Sequence, residues 1–179
     1  MRPVEKTERL KWRILVDRYH YLGDKIIVGE HILYLAWLDG EIVACVGWGA
    51  AALHVPLRDA YIGWESSHKR ERLHGIAGNH RLLIFPHVKV KNLGSRILSL
   101  NLKRLSRDWE ERYKHPIHLA ETFVDVSRFK GTVYRASNWI YLGLTSGKSK
   151  RGNQYKKHGN QKAVYVYPMA HVAKRELLK

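Results

Sequence analysis

Hydrophobic positions recur along the chain at two spacings, one typical of helices and the other typical of strands. The most regular helical series is Leu98, Leu102, Leu105, Trp109 and Tyr113, at steps of four, three, four and four residues. This spacing places the five side chains on one side of a helix, with basic residues on its other sides. It predicts a long amphipathic helix over about 91–113.

Three further segments are predicted in the first half of the chain. Apolar groups at helical spacing predict a helix over 5–21, and Gly23 is suited to end it. Asp39 and Gly40 separate two β-rich runs, which is the strongest short-range signal for a hairpin. The highly charged stretch 65–74 predicts an exposed helix.

Short elements alternate through the rest of the sequence. Residues 60–64 predict a short strand or a turn. Strands are expected at 80–90 and 118–126, a second and shorter helix at 131–141, and a last strand at 163–169. Within the first of these strands, Pro86 marks a bulge or the place where the ladder opens.

The order of these elements determines the predicted fold class. Strand–helix–strand segments imply parallel pairing through right-handed crossovers, whereas the early hairpin is antiparallel. We therefore predict an α/β fold: a single domain over residues 1–179 with a central mixed sheet flanked by helices. A basic, glycine-bearing loop is expected at about 148–162.

Net charge narrows the class of partner. The 179 residues include 32 Lys plus Arg and 16 Asp plus Glu, a formal charge of +16, and the pI is about 10.1. This excess favours a polyanionic partner, with nucleic acid first, and DNA before RNA. An anionic membrane surface is the rival, but no basic amphipathic helix stands apart from the body of the chain. A merely soluble basic protein is the remaining alternative.

Cysteine use and hydropathy indicate the compartment. Cys45 is the single cysteine, so no internal disulfide can form. No charged-then-apolar leader opens the chain, and the longest apolar run, 42–57, is shorter than the roughly 20 residues that a membrane span needs. We expect a cytoplasmic protein with no membrane partner.

The junction Lys89–Ser95 joins a predicted strand to the long helix. Backbone N–H groups at such a helix start can hold an anion, and Gly94 would let a phosphate come close to the backbone. Lys89, Lys91 and Arg96 would add positive charge. The alternative is a helix start that is only capped by an asparagine.

Two carboxylates four residues apart, Glu121 and Asp125, lie on one side of a predicted strand. They could form a metal pair, or one could be a general base. Asp125 could instead hold Arg128 at the end of the strand. Glu121 lies at the centre of the strand between apolar residues, so it needs either a partner or a chemical role.

Metal and nucleophile signatures are weak. The eleven histidines show no tight ligand spacing and no cysteine cluster assists them, so no metal is expected. Ser66 and Ser67 precede His68 in a charged segment without the glycines of a nucleophile elbow.

The basic loop is the segment predicted to contact nucleic acid. Its cations would bind phosphates and determine position more than sequence, while its rings would stack on unpaired bases. The predicted phosphate ligands are Lys148, Lys150, Arg151, Lys156 and Lys157, and the predicted stacking groups are Tyr155 and His158.

One aromatic stretch, Gly131–Gly147, is open to two interpretations. It combines Tyr134, Trp139 and Tyr141 with polar residues, and glycines bound it at both ends. Such a stretch could cover a core or line a binding site, because functional and core aromatics look alike in sequence.

The sequence contains a set of distinctive motifs: "HYLG" (20–23), "IGW" (62–64), N-x-R (79–81), "ETFVD" (121–125) and G-x-x-Y-R-A-x-N-W-x-x-x-G-x-T-x-G (131–147), with a terminal "VYVYPM". Over about residues 21–152, these motifs resemble the DruA-type family. Members of this family occur in Druantia anti-phage defence systems and with transposases. The resemblance implies nucleic acid as a partner, together with other defence-system or transposase proteins.

The element order also resembles the GNAT acyltransferase superfamily. In that superfamily an opened strand feeds a helix whose N-terminus holds the CoA pyrophosphate through R/Q-x-x-G-x-G/A. The matching string here is K-V-K-N-L-G-S, with Lys89 in place of Arg or Gln and Asn92 in place of the first glycine.

The GNAT resemblance implies a set of site residues for acetyl-CoA or another acyl-CoA. Backbone groups of Phe85, His87 and Val88 would hold the pantetheine, with Tyr134 as general acid and Glu121 as base. Asn138 would face the site and Trp139 would pack inward. The predicted pyrophosphate cradle is Lys89, Asn92, Gly94 and Ser95.

Three functions are therefore open. The first is a nucleic-acid-binding accessory protein of defence or transposition. The second is an acyl-CoA-dependent N-acyltransferase acting on a nucleobase, an aminoacyl group on RNA or a protein amine. The third, a metal nuclease using Glu121 and Asp125, has only two carboxylates to support it.

Overall fold

The computed structural model of the chain describes residues 1–64, 66–151, 154–157 and 160–178, and residues 66–68, 148–151 and 154–157 by their backbone alone. The α-helices are α1 (Arg9–Tyr19), α2 (Pro56–Ile62), α3 (Ser66–Arg72), α4 (Leu93–Tyr113), α5 (Thr132–Arg135) and α6 (Ala173–Leu178). The strands are β1 (Arg2–Pro3), β2 (His31–Leu38), β3 (Glu41–Ala50), β4 (Ile76–Ile84), β5 (Leu119–Asp125), β6 (Ile140–Leu144), β7 (Lys148–Arg151), β8 (Gln154–Lys157) and β9 (Lys162–Pro168).

The predicted mixed sheet is confirmed. Seven strands form one sheet in the order β1-β2-β3-β4-β5-β9-β6, and β7 and β8 pair separately as a two-stranded ribbon. Among the described strands, β4 and β5 are the parallel pair and their other neighbours run antiparallel. Parallel pairing is thus correct for β4–α4–β5. It is wrong for β3 and β4, which pair antiparallel although α2 and α3 lie between them. It is also wrong for β5 and the last strand, because β6 and the ribbon intervene and reverse the chain.

The larger part of the core lies on one face of the sheet, under α4 and α5. The helical series beginning at Leu98 is buried there as predicted, with Leu105 and Trp109 at most 1 % exposed and Tyr113 partly buried. Trp48 of β3 donates its indole N–H to Asn101 of α4 at 2.6 Å. The indole N–H of Trp48 therefore has a hydrogen-bond partner inside the apolar layer.

The opposite face carries two smaller clusters. Trp12 and Val16 of α1 pack against the β2–β3–β4 region. Ile62 of α2 and Leu177 of α6 pack against β5 and β9. The domain therefore has three layers: helices, sheet, helices.

The hairpin between β2 and β3 turns at Asp39 and Gly40, as predicted. Both residues have positive φ, 51° and 84°, which a tight turn that follows the strand twist requires. Registered pairs run from His31↔Gly49 to Leu38↔Glu41.

Two local predictions were wrong. Residues 60–64 belong mostly to α2 rather than to a strand, because Pro56 starts a helix whose Ile62 faces the core and Gly63 ends it at φ 89°. The helix expected over 131–141 is confined to Thr132–Arg135, because Asn138 turns at φ 62° and β6 begins at Ile140.

Two further predictions need correction in detail. β4 begins and ends earlier than the expected 80–90: the Phe85 N–H donates to the Val43 carbonyl, and Pro86 then lacks the N–H to continue. The expected basic loop at 148–162 contains the β7–β8 ribbon.

Candidate functional site

A cleft of about 560 Å³ opens where β4 and β5 separate. The two strands pair from Ile76↔Leu119 to Asn79↔Thr122 and then diverge. A register shift against β3 leaves His80 as an extra residue in β4 at this point. A bulge bends its strand, and here the bend accompanies the opening.

The floor of the cleft is built around Asn79. Its side-chain amide donates to the carbonyls of Gly47 and Arg81, which leaves its oxygen to accept the Tyr134 hydroxyl at 2.8 Å. Thr122 of β5 donates to the Asn79 carbonyl at 3.1 Å. Desolvation raises the pKa of Tyr134 to about 12, so its hydroxyl stays protonated near neutral pH.

One wall comes from the residues that follow α1. His20 accepts the Leu22 N–H through Nδ1 at 3.2 Å, so the neutral ring carries its proton on Nε2. Desolvation, with Arg81 nearby, lowers the pKa of His20 to about 4. Arg81 is buried and donates to the carbonyls of Gly23 and His80, which ties this wall to β4.

The mouth of the cleft is aromatic and cationic. The rings of Tyr21 and Phe129 lie 5.2 Å apart between centroids, and the guanidinium of Arg128 lies over Tyr21 at 5.1 Å. Lys130 and Lys162 are exposed and line the opening.

Asp125 and Gly131 shape the segment that carries this mouth. The Asp125 carboxylate accepts from the Ser127 hydroxyl and N–H, which lowers its pKa, and its carbonyl accepts from the Phe129 N–H. Gly131 has φ 69°, and a Cβ there would lie 2.5 Å from the Tyr165 hydroxyl. Only glycine fits this approach without displacing a buried ring.

Glu121 faces away from the cleft floor, beneath α2. Its carboxylate accepts from Arg58 at 2.9 Å and from the Ala52 N–H at 3.1 Å, and both charged side chains are at most 1 % exposed. Burial raises the pKa of Glu121, while the contacts with Arg58 oppose that rise. Arg58 is therefore the partner that the buried carboxylate of Glu121 requires. Arg58 also binds Asp59.

The residues predicted to hold the pantetheine, Phe85, His87 and Val88, lie outside the cleft lining, although Pro86 between them belongs to it. Phe85 is buried between the rings of Tyr19 and His87, at 5.5 and 5.7 Å. The Val88 N–H donates to the Phe85 carbonyl, so two of the expected backbone donors, Phe85 and Val88, are already used within the chain. Lys89 is exposed beyond them.

The start of α4 is arranged for packing. Asn92 has φ 60°, its carbonyl accepts the Ser95 hydroxyl, and its side chain makes no capping bond to a described residue. A Cβ at Gly94 would lie 3.2 Å from Val133, so this glycine lets α5 approach α4. The close packing of α4 on α5 is therefore a sufficient reason for a glycine at position 94, without a bound phosphate.

The remaining predicted residues lie elsewhere. Asn138 is exposed in the turn before β6, and Trp139 is buried under the sheet as expected. The ribbon contains Lys148, Lys150, Arg151, Tyr155, Lys156 and Lys157, of which the backbone is described, whereas His158 lies outside the described residues.

Of the residues predicted for catalysis and cofactor binding, Tyr134 lines the cleft. Sequence reasoning missed His20, Tyr21, Arg81 and Phe129. His20, Tyr21 and Arg81 lie in the motifs at 20–23 and 79–81, and Phe129 lies between the motifs at 121–125 and 131–147; all four motifs contribute to this lining.

No group of three or more His, Cys, Asp or Glu in the described part of the chain is placed to hold a metal ion. None of the helices described is long and apolar enough to cross a bilayer.

Comparison with known proteins identifies a family and a fold. A family model described as "Druantia protein DruA" matches residues 2–152. Solved GNAT-family acetyltransferases from Elizabethkingia anophelis, with acetyl-CoA bound, and Streptococcus pneumoniae share 9% and 14% identity, with TM-scores of 0.54 and 0.56. Each alignment covers 93% of this chain, and 95% and 97% of the other.

A Bacillus subtilis acetyltransferase in complex with CoA is similar at 8% identity and TM-score 0.55, covering 93% of this chain and 96% of that one. These likenesses establish the GNAT fold alone. The comparison with curated proteins found no match.

Proposed function

Since this chain belongs to the DruA family, we propose that it is a nucleic-acid-binding protein, with DNA preferred over RNA, that acts in an anti-phage defence or mobile-element system. Its partner proteins are expected among the other proteins of such systems.

The observation that carries this proposal is the β7–β8 ribbon. Five of its eight residues are Lys or Arg, and the pairing sets Lys148 opposite Lys157 and Ser149 opposite Lys156. The major groove of DNA admits a two-stranded ribbon, and Lys and Arg neutralise phosphates. The net charge of +16 supports the same class of partner.

The ribbon joins the sheet beside the cleft. At its root, the Thr145 N–H donates to the Lys162 carbonyl at 2.9 Å, and the Lys162 N–H donates to the Thr145 hydroxyl at 3.0 Å. Lys162 also lines the cleft. Ribbon and cleft are therefore neighbouring parts of one surface.

Binding of a fluorescent duplex, measured by anisotropy across a salt series, tests the proposal. Replacing Lys148, Lys150, Lys156 and Lys157 by Ala should weaken binding and reduce the slope of log K against log salt by about one per lost phosphate contact.

A matched variant removes four exposed lysines elsewhere: Lys6, Lys11, Lys103 and Lys174. It loses the same charge but should retain most of the affinity and slope. Equal losses in the two variants, or binding that ignores salt, would refute a ribbon-based site. An RNA duplex of the same sequence should bind more weakly.

A second candidate, acyl transfer from an acyl-CoA, is favoured by Tyr134. A protonated hydroxyl on the cleft floor is suited to general acid chemistry, and GNAT-fold neighbours carry acetyl-CoA or CoA. However, Phe85 and Val88 use their N–H groups internally and Gly94 packs on Val133. Two of the predicted pantetheine donors are therefore engaged within the chain, and packing against Val133 accounts for Gly94 without a pyrophosphate.

Calorimetric titration with acetyl-CoA decides this candidate. Micromolar affinity that is lost in Gly94→Trp, with DNA binding retained, would establish a cofactor site. Absence of binding at millimolar ligand would mean that the fold serves as a scaffold for nucleic-acid recognition.

A further inference from the structure

The cleft mouth exposes two aromatic rings that the core does not use. Tyr21 is 39% exposed and Phe129 is 47% exposed. Their ring centroids lie 5.2 Å apart, and the two ring planes are inclined at 57°. Exposed rings beside a basic groove are the stacking platforms of proteins that bind single strands.

Cations surround these rings. Arg128 lies over Tyr21, and Lys130 and Lys162 stand at the opening. The carboxylate that lines the cleft, Asp125, accepts hydrogen bonds from Ser127 and contributes one negative charge against these three cations. The local excess of positive charge suits a phosphate at the mouth.

The interior offers polar groups at fixed positions. The side-chain amide of Asn79 is engaged within the chain, so the groups left for a ligand are the Tyr134 oxygen as an acceptor and the His20 Nε2–H as a donor. A volume of about 560 Å³ lies within the range of small-ligand pockets and accommodates one nucleotide. Base edges are read by such donors and acceptors once the base is unstacked.

We propose that the cleft binds one unpaired nucleotide of single-stranded DNA: its base packs against the exposed rings of Tyr21 and Phe129, and its phosphate pairs with Lys130 and Lys162. The proposal rests on the proposed nucleic-acid function. The ribbon would hold the adjoining duplex, and Lys162 links the two parts at the ribbon root.

The test compares two DNA ligands of equal duplex length, one blunt and one with a short thymidine overhang that contains a single 2-aminopurine. The full-length protein should bind the overhang ligand about ten-fold more tightly. Stacking in the cleft should also quench the 2-aminopurine fluorescence.

Ring-deleting variants locate the effect. Tyr21→Ala and Phe129→Ala should each remove most of the overhang advantage and the quenching, while blunt-duplex affinity stays unchanged. Tyr21→Phe and Phe129→Tyr keep a ring and should retain both. The matched control is Tyr141→Ala, which deletes a ring that is 50% exposed on β6 and should change neither.

The outcomes separate this proposal from the one that it rests on. Absence of binding of the wild-type protein to either DNA ligand would refute the proposed function. Blunt-duplex binding without an overhang advantage, or with an advantage that survives both ring deletions, would refute the cleft proposal alone. Displacement of the overhang by acetyl-CoA, or tighter binding of an RNA overhang, would assign the cleft to a different occupant.

Discussion

The boundary between β4 and β5 has two halves that the same strands build in opposite ways. In the paired half, Ile76–Asn79 hydrogen-bond to Leu119–Thr122, and the charges beneath them neutralise each other through Arg58 and Glu121. In the open half the strands diverge, and the described contacts of the Arg81 guanidinium go to backbone carbonyls. The first half pairs its arginine with a buried carboxylate, whereas the second holds its arginine with backbone carbonyls.

The largest expected effect is a loss of folding stability when the ion pair of the paired half is broken. Arg58→Met leaves the carboxylate of Glu121 buried without its cation, and removal of one member of a buried pair costs about 3–5 kcal/mol. Urea unfolding followed by circular dichroism measures the loss.

Two further variants control this prediction. Adding Glu121→Gln to Arg58→Met should recover a large part of the stability, since the uncompensated charge is gone. Arg107→Met removes an arginine that is 68% exposed and 3.9 Å from Glu111, and should cost less than about 0.5 kcal/mol. A small loss in Arg58→Met would mean that the pair is not structural.

The next effect concerns the open half. Gly131→Ala places a Cβ 2.5 Å from the hydroxyl of fully buried Tyr165 at a positive φ, so strain and overpacking together should destabilise by about 2–4 kcal/mol. Thermal and urea unfolding both report it.

Gly94→Ala is the matched glycine variant. Its Cβ would lie 3.2 Å from Val133, and the gain in helix propensity offsets the crowding. We expect a change within about 1 kcal/mol. A Gly131→Ala protein as stable as Gly94→Ala would show that the segment before α5 is adjustable rather than fixed.

The smallest expected effect is a pH dependence of the folding stability that arises from His20, beside the open half. The folded-state pKa of His20 is lowered from 6.5 to about 4, so the unfolded chain binds its proton more readily. The stability from this group is complete above about pH 6.5 and is lost as pH falls toward 4.

Because His20 is partly exposed, about 1 kcal/mol of this dependence is expected. Unfolding free energies of wild type and His20→Gln, measured at pH 7 and pH 4.5, should differ in their pH dependence by that amount. Identical pH profiles would place His20 in a solvated position instead.

The sequence anticipated the elements that have a strong local signal. The series from Leu98 to Trp109 predicts α4 because apolar residues recur every three or four positions, which places them on one face of a helix. Asp39 and Gly40 predict the hairpin because few other residues tolerate positive φ at both positions.

Weaker signals failed for identifiable reasons. α2 is only seven residues long, with a single turn of apolar spacing, and "AYIGW" reads equally well as a strand. β6 is an edge strand on which Ile140, Tyr141 and Leu144 are all at least 40% exposed, so it lacks the alternation that marks a half-buried strand.

The candidate site was predictable only in part. Tyr134 was identified through its motif, and its hydroxyl does lie on the cleft floor. Glu121 was recognised as needing a partner, but that partner, Arg58, lies 63 residues away on a helix that was not predicted. The predicted cofactor segment 85–95 follows the right strand, yet the opening occurs at Asn79, before it.

By itself the sequence determined the fold class, the strong helix and hairpin, the excess of positive charge and the family to which the chain belongs. Each of these follows from local periodicity, from composition or from a contiguous motif. Only the tertiary structure decided that Tyr21, Asn79, Lys130 and Lys162 meet around one cleft while Glu121 turns away from it. The physical reason is that a site formed by diverging strands depends on a bulge and on contacts between distant segments, and neither has a period that a linear chain can display.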